Sequence, residues 1–126
     1  WAFKLRTSAP EAISLQRSID LSRADIVDVV DAFERFRDSG DAEAIADRTL
    51  QRPELNNPNS TDPDIESFYI QLATARRFLQ RLDIHLMSAS TTEELESLLA
   101  ITDKRAFELN QSWIKARRAA VRFKRG

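Results

Sequence analysis

The sequence predicts an all-α protein, an elongated antiparallel bundle of three long helices and one short helix. Apolar residues recur at alternating spacings of three and four along three long segments, which is typical of helices that pack along one stripe. The 126 residues include only two Gly and four Pro, and 42% are hydrophobic. A chain of this length suits one domain, residues 1–126, with a single hydrophobic core.

The first long helix is predicted at about residues 9–38, where the apolar stripe is unbroken. Ser8 and Glu11 match a capping box at its start. At its end we expect Gly40 to adopt the left-handed conformation that terminates many helices. The stripe consists of Ala12, Leu15, Ile19, Ser22, Ile26, Val29, Phe33 and Phe36.

A connector of a short helix and a loop follows. Residues 42–50 are predicted to form the short helix, with Asp41 as its N-cap. Residues 51–62 are predicted to be a loop without regular structure, because Pro53, Pro58 and several Asn residues interrupt it. If this connector caps one end of the bundle, the two termini lie at opposite ends. If it crosses back along the bundle, they share an end.

The second long helix is predicted at about residues 63–87. Asp62 supplies the N-cap, and Pro63 occupies the first helical position, where its missing N–H has little cost. Its stripe consists of Ile65, Phe68, Leu72, Ala75, Leu79, Leu82 and Leu86, and Tyr69 and Phe78 widen the buried face.

The third long helix is predicted at about residues 91–123, after a capping box of Ser90 and Glu93. The stripe keeps one register through Thr102, which favours a single helix, and a break near residue 102 would give a four-helix variant. The stripe consists of Thr92, Leu95, Leu99, Thr102, Ala106, Leu109, Trp113, Ala116, Ala120 and Phe123, and Leu98 and Phe107 are expected to widen it.

The predicted core contains few groups that could perform chemistry. Ser22, Thr92 and Thr102 are the only polar members of the three stripes, and such hydroxyls can bond to helix carbonyls. His85 is the only histidine and there is no cysteine. We therefore predict no metal site, no cofactor and no His- or Cys-based catalytic arrangement. The sequence has only two glycines, too few for the glycine-rich loops of P-loop and Rossmann nucleotide-binding folds, so these folds are excluded.

The C-terminal segment carries a strong positive charge. Six of the 19 basic residues and none of the 20 acidic residues lie in the last twelve positions. This segment is either a solvated helix end that complements the helix dipole or a contact for an anionic partner. An anionic membrane surface fits such a cluster, whereas the acidic remainder of the chain argues against nucleic acid. The residues are Lys115, Arg117, Arg118, Arg122, Lys124 and Arg125.

Three functional hypotheses follow. The first is a non-catalytic interaction or assembly module, a structural or adaptor component of a larger complex, which binds a protein partner or copies of itself. The second is an extracytoplasmic ligand-sensing domain of a bacterial membrane signal transducer, and termini at opposite ends of the bundle would weigh heavily against it. The third is a bundle enzyme that binds a dianionic substrate through Arg76, Arg77 or Arg81, and it would require inward-pointing arginines. We favour the first and predict that the protein is not an enzyme.

The compartment follows less directly from the sequence. No apolar run is long enough to cross a membrane, and the N-terminal residues lack the pattern of a signal peptide. The chain begins at Trp1 and not at Met, so we interpret it as a soluble fragment of a longer or processed chain, cytoplasmic or extracytoplasmic. The excess of Arg over Lys, 15 to 4, suggests a bacterial source.

Overall fold

The computed structural model describes residues 9–125, and within this range it contains four α-helices and no strand. The helices are α1 (Ala9–Asp38), α2 (Ala42–Ala46), α3 (Pro63–Ser88) and α4 (Thr92–Arg125). The predicted all-α bundle is therefore confirmed. Among the described residues, no helix has both the length and the apolar character that crossing a bilayer requires.

Helices α1 and α4 run parallel to each other. The Ser22 hydroxyl donates a hydrogen bond to the Asp103 carboxylate, and further along both helices the Phe33 and Trp113 ring centroids are 6.3 Å apart. Later residues of α1 therefore meet later residues of α4. The offset between the two helices stays at about 80 residues, which indicates shallow crossing over this length.

Helix α3 runs antiparallel to the other two. Arg23 pairs with Asp83 at 2.7 Å, whereas the later α1 residue Glu34 pairs with the earlier α3 residue Arg76 at 3.1 Å. The three long helices thus run up, down and up. The start of α1 and the end of α4 lie at opposite ends of the bundle, and this is not the arrangement on which the membrane-sensor hypothesis depends.

The helices are held together by an almost entirely apolar core. Among the described residues, no Asp, Glu, His, Lys or Arg is buried, and the buried polar residues are Ser60, Thr102 and Ser112. The Thr102 hydroxyl donates to the Leu98 carbonyl at 2.7 Å, one turn earlier in the same helix. Because this hydroxyl is satisfied locally, α4 continues through residue 102 and the four-helix variant is wrong.

Phe123, a member of the predicted α4 stripe, and Phe107, which was expected to widen it, both lie outside the core. The Phe107 side chain is 66% exposed and the Phe123 side chain is 49% exposed. The expectation that Phe107 widens the buried face is therefore wrong. Leu98, which was given the same role, is buried.

The cap at the start of α4 lies one residue later than the sequence pattern indicates. The Thr91 hydroxyl accepts a bond from the Glu94 backbone N–H at 3.1 Å, and the Glu94 carboxylate accepts one from the Ser90 backbone N–H at 2.8 Å. The capping box is therefore Thr91 with Glu94, and not Ser90 with Glu93. The bond from the Ser90 N–H is the largest of several interactions that lower the pKa of Glu94.

This cap should make stability depend on pH. Because the pKa of Glu94 is lower in the folded state than in the unfolded state, its contribution is present above about pH 4.5 and is lost as pH falls through the folded-state pKa. We expect Glu94→Gln to lower the free energy of unfolding at pH 7 and to have little effect near pH 2.5, measured by urea denaturation. Glu96→Gln, which changes an exposed acid outside the cap, is the matched control. Equal losses for Glu94→Gln at both pH values would contradict a role for the ionised carboxylate.

The end of α1 is capped by an arginine and not by a left-handed glycine. Within residues 9–125 no glycine has a positive φ, so the prediction for Gly40 is wrong. Instead, the Arg48 guanidinium donates to the Ser39 carbonyl at 2.6 Å and to the Phe36 carbonyl at 3.3 Å. Basic side chains commonly satisfy the last carbonyls of a helix in this way, so the chain can turn without left-handed backbone.

The connector is more regular than predicted. The Asp41 side chain caps α2, as expected, by accepting from the Ala44 N–H. The short helix then changes into a π-helical turn at Asp47–Gln51. A 3-10 turn follows at Pro53–Asn56, so the prediction of a loop without regular structure is wrong.

Leu55 attaches this connector to the bundle. Its side chain is fully buried, and its carbonyl accepts a hydrogen bond from the Tyr69 hydroxyl at 2.7 Å. The connector therefore closes one end of the bundle, where it packs against α4.

Candidate interaction surface

The C-terminal basic residues divide into a paired set and an exposed set. Arg117 pairs with Asp47 at 3.4 Å, and Arg122 pairs with Asp64 at 3.2 Å. Lys115, Arg118 and Lys124 are exposed, and no ion pair involving them occurs among the described residues. The Arg125 side chain lies outside the part of the chain whose side chains are described.

Asp47 joins the connector to α4 through two arginines. Its carboxylate lies 2.7 Å from the Arg52 guanidinium and 3.4 Å from that of Arg117, and its side chain is 17% exposed. Arg52 thereby becomes part of the basic end of the bundle. Sequence reasoning missed both Asp47 and Arg52, because nothing in the spacing of a connector indicates which α4 residue it meets.

Trp113 lies where the core meets the surface. Its ring contacts the Phe68 ring at a centroid distance of 5.1 Å. On the outer side, the Arg117 guanidinium lies 5.1 Å from the Trp113 ring centroid, which is a cation–π geometry. Trp113 borders two surface grooves that carry opposite charge.

The first groove lies between α1 and α4 and is acidic. It encloses about 620 Å³. Its charged lining residues are Asp25, Asp28 and Asp103, and all three are exposed. The apolar part of its wall includes Phe107 and Trp113.

The second groove lies further along α4 and is basic. It encloses about 600 Å³. Its apolar lining residues are Trp113, Ile114 and Val121. The rest of the lining is formed entirely by arginines, which are Arg52, Arg117, Arg118 and Arg122.

An apolar column on α4 connects the two grooves. Phe107, Ile114 and Val121 are spaced seven residues apart, so they follow one line along the helix surface. Phe107 is exposed, and Ile114 and Val121 are half-buried. We call this column and the two grooves beside it the polarised strip. Heptad spacing offset from the core stripe was the sequence signal that could have revealed it.

The arginines of α3 do not converge on a site. Arg76 pairs with Glu34 at 3.1 Å. Arg77 donates to the Thr74 hydroxyl at 3.4 Å, and Arg81 is exposed. None of the three lines either groove of the polarised strip. The inward-pointing arginines that the enzyme hypothesis requires are therefore not observed in the described part of the chain.

Residues 9–125 contain no group of three or more His, Cys, Asp or Glu side chains placed to hold a metal ion.

Comparison with known proteins found no matching family model, no matching curated protein and no matching solved structure. The fold and the surface define an all-α three-helix bundle with a charged, partly apolar outer strip.

Proposed function

We propose that this protein is a non-catalytic helical interaction module that binds a protein partner along the polarised strip. The observation that carries the proposal is the apolar column of Phe107, Ile114 and Val121 between an acidic groove and a basic groove. A partner is expected to cover this column, and the charges on either side orient it.

The composition of the strip supports this proposal. Aromatic residues and arginines are enriched at the centres of protein interfaces, whereas lysines and glutamates are depleted there. The strip combines an exposed phenylalanine, a half-buried tryptophan and four arginines. Single exposed apolar residues are ordinary on protein surfaces, but apolar side chains in line with a tryptophan and several arginines match the composition of interaction sites.

The charge arrangement gives a second argument. Like charges grouped on one surface repel one another, and a complementary partner would relieve this cost for Asp25, Asp28 and Arg118, which form no ion pair within the described residues. The core gives no competing explanation, since its buried polar residues are hydroxyls that bond within the chain. The Ser112 hydroxyl, for example, donates to the Leu109 carbonyl at 2.8 Å.

Site-specific photo-crosslinking in the cells that produce the protein tests the proposal. A benzoylphenylalanine at position 107 would report the strip, and the same probe at position 84 is the matched control, because Ile84 is 64% exposed on α3. We expect a discrete protein adduct from position 107 that position 84 does not form, and mass spectrometry would identify the second component. Absence of an adduct at 107, or the same adduct from both positions, would refute the proposed interaction surface.

A further inference from the structure

The partner that fits the polarised strip can be specified further, and this step rests on the proposed function. We propose that the strip binds a second copy of this chain, with the two α4 helices antiparallel across a two-fold axis near Ile114. The reason is that the strip carries both halves of a complementary surface. A two-fold interface requires one patch to be complementary to itself.

The apolar column has the required symmetry about Ile114. Phe107 lies seven residues before it and Val121 seven residues after it, about 10 Å away in each direction at 1.5 Å per residue. In the antiparallel arrangement, Phe107 of one copy meets Val121 of the second copy, and the two Ile114 side chains meet at the axis. A parallel arrangement would instead bring like charges together.

The charges lie at matching distances from the same axis. The contact of Ser22 with Asp103 fixes the level of α1 beside α4, so Asp25 and Asp28 lie about 8 to 13 Å before Ile114. Arg118 and Lys124 lie about 6 and 15 Å after it. The two-fold operation therefore brings the acidic half of each copy to the basic half of the other.

The extent of the strip indicates how strong this association should be. Between Asp103 and Arg122 it is about 29 Å long, and it is about 20 Å wide across two packed helices. This gives about 600 Å² per copy, at the lower end of the range for specific interfaces. We therefore expect a reversible dimer with a dissociation constant in the micromolar range, weakened at least about tenfold when salt rises from about 0.05 to 0.5 M.

Two charge-reversal variants test the self-complementary pattern. Asp25→Arg with Asp28→Arg reverses two of the three acids of the acidic groove, and Arg118→Glu with Lys124→Glu reverses two exposed cations at the basic end of α4 that form no ion pair within the described residues. These four side chains are exposed and take part in no ion pair within the described residues, so the monomer fold should persist, which circular dichroism checks. By sedimentation equilibrium, we expect each variant alone to associate at least about tenfold more weakly than the natural protein.

The decisive measurement is sedimentation equilibrium of an equimolar mixture of the two variants. Each contributes the charge that the other lacks, so the mixture should form a heterodimer although neither variant dimerises well alone. The matched control is Glu66→Arg with Arg81→Glu, which changes two exposed residues on α3, a helix outside the strip. This control should dimerise as the natural protein does.

Self-association through the strip would be overturned if the natural protein stays monomeric at about 500 µM, well above the expected dissociation constant. It would also be overturned if neither strip variant weakens the dimer, or if the mixture of the two variants does not associate. The crosslinking experiment tests the proposed function separately from dimerisation. If the natural protein is monomeric but position 107 crosslinks to a different protein, the interaction module stands and only the second copy is wrong.

Discussion

Phe33→Ala is expected to lower the free energy of unfolding by about 3 to 5 kcal/mol, because it removes a fully buried aromatic ring and leaves a cavity. Phe33 is 1% exposed. Its ring lies between α3 and α4, with centroid distances of 5.3 Å to Phe68 and 5.6 Å to Tyr69. A loss of this size is a large fraction of the roughly 5 to 15 kcal/mol that stabilises a typical domain.

The geometry of this aromatic cluster explains why the loss in the free energy of unfolding should be near the upper end of that range. Phe33 contacts Tyr69 and Trp113 edge to face, with interplanar angles of 86° and 89°. Such pairs contribute about 0.5 to 1.5 kcal/mol beyond the area that they bury. The shortened side chain would therefore lose specific ring contacts with two other helices in addition to apolar burial.

Urea denaturation followed by far-UV circular dichroism measures this loss. The matched control is Phe107→Ala, which removes the same side chain from a position where it is 66% exposed. We expect that control to change the free energy of unfolding by less than about 0.5 kcal/mol. A loss below about 1 kcal/mol for Phe33→Ala would contradict its place at the centre of the core.

The same two phenylalanines separate folding from association. Phe107→Asp should leave the monomer fold intact and weaken dimerisation at least about tenfold, because it places a charge in the apolar column opposite Val121 of the second copy. Phe33→Ala acts on the core beneath Trp113 and should weaken association only as far as it unfolds the protein. The two substitutions thus separate the role of the buried core in folding from the role of the exposed strip in association.

The long helices could be predicted because their positions depend on local spacing. The first helix ends at Asp38, where its apolar stripe stops. The continuity of α4 through Thr102 also follows from an unbroken register, since a threonine can satisfy its hydroxyl within its own helix. Each of these features is determined by residues less than two turns apart.

Features that depend on distant residues could not be predicted. Arg48 caps α1 from the π-helical turn, and this contact replaces the left-handed Gly40 that local rules favour. Leu55 is the one buried apolar residue described in the connector, and a single apolar residue has no periodicity. Both contacts require the folded path of the chain between α1 and α3.

The candidate site was predicted only in part. The sequence indicated a basic end, but it could not indicate that Arg117 is held by Asp47 and stacks on Trp113. The acidic half was missed because Asp25 lies on α1 and Asp103 lies on α4. Their proximity depends on the parallel packing of two helices that are far apart in the chain.

Leu55→Ala should have the second large effect, lowering the free energy of unfolding by about 2 to 4 kcal/mol. The Leu55 side chain is 0% exposed, and its backbone carbonyl accepts a hydrogen bond from the Tyr69 hydroxyl. The substitution should also speed hydrogen exchange at the Asn57 and Ser60 amides, whose bonds to Glu54 and Asn57 lie in the same turn. Leu50→Ala is the matched control, because Leu50 is 65% exposed in the same connector. If the two substitutions lower the free energy of unfolding equally, the connector is not anchored to the bundle through Leu55. Arg52 would then not be held at the basic end of the strip.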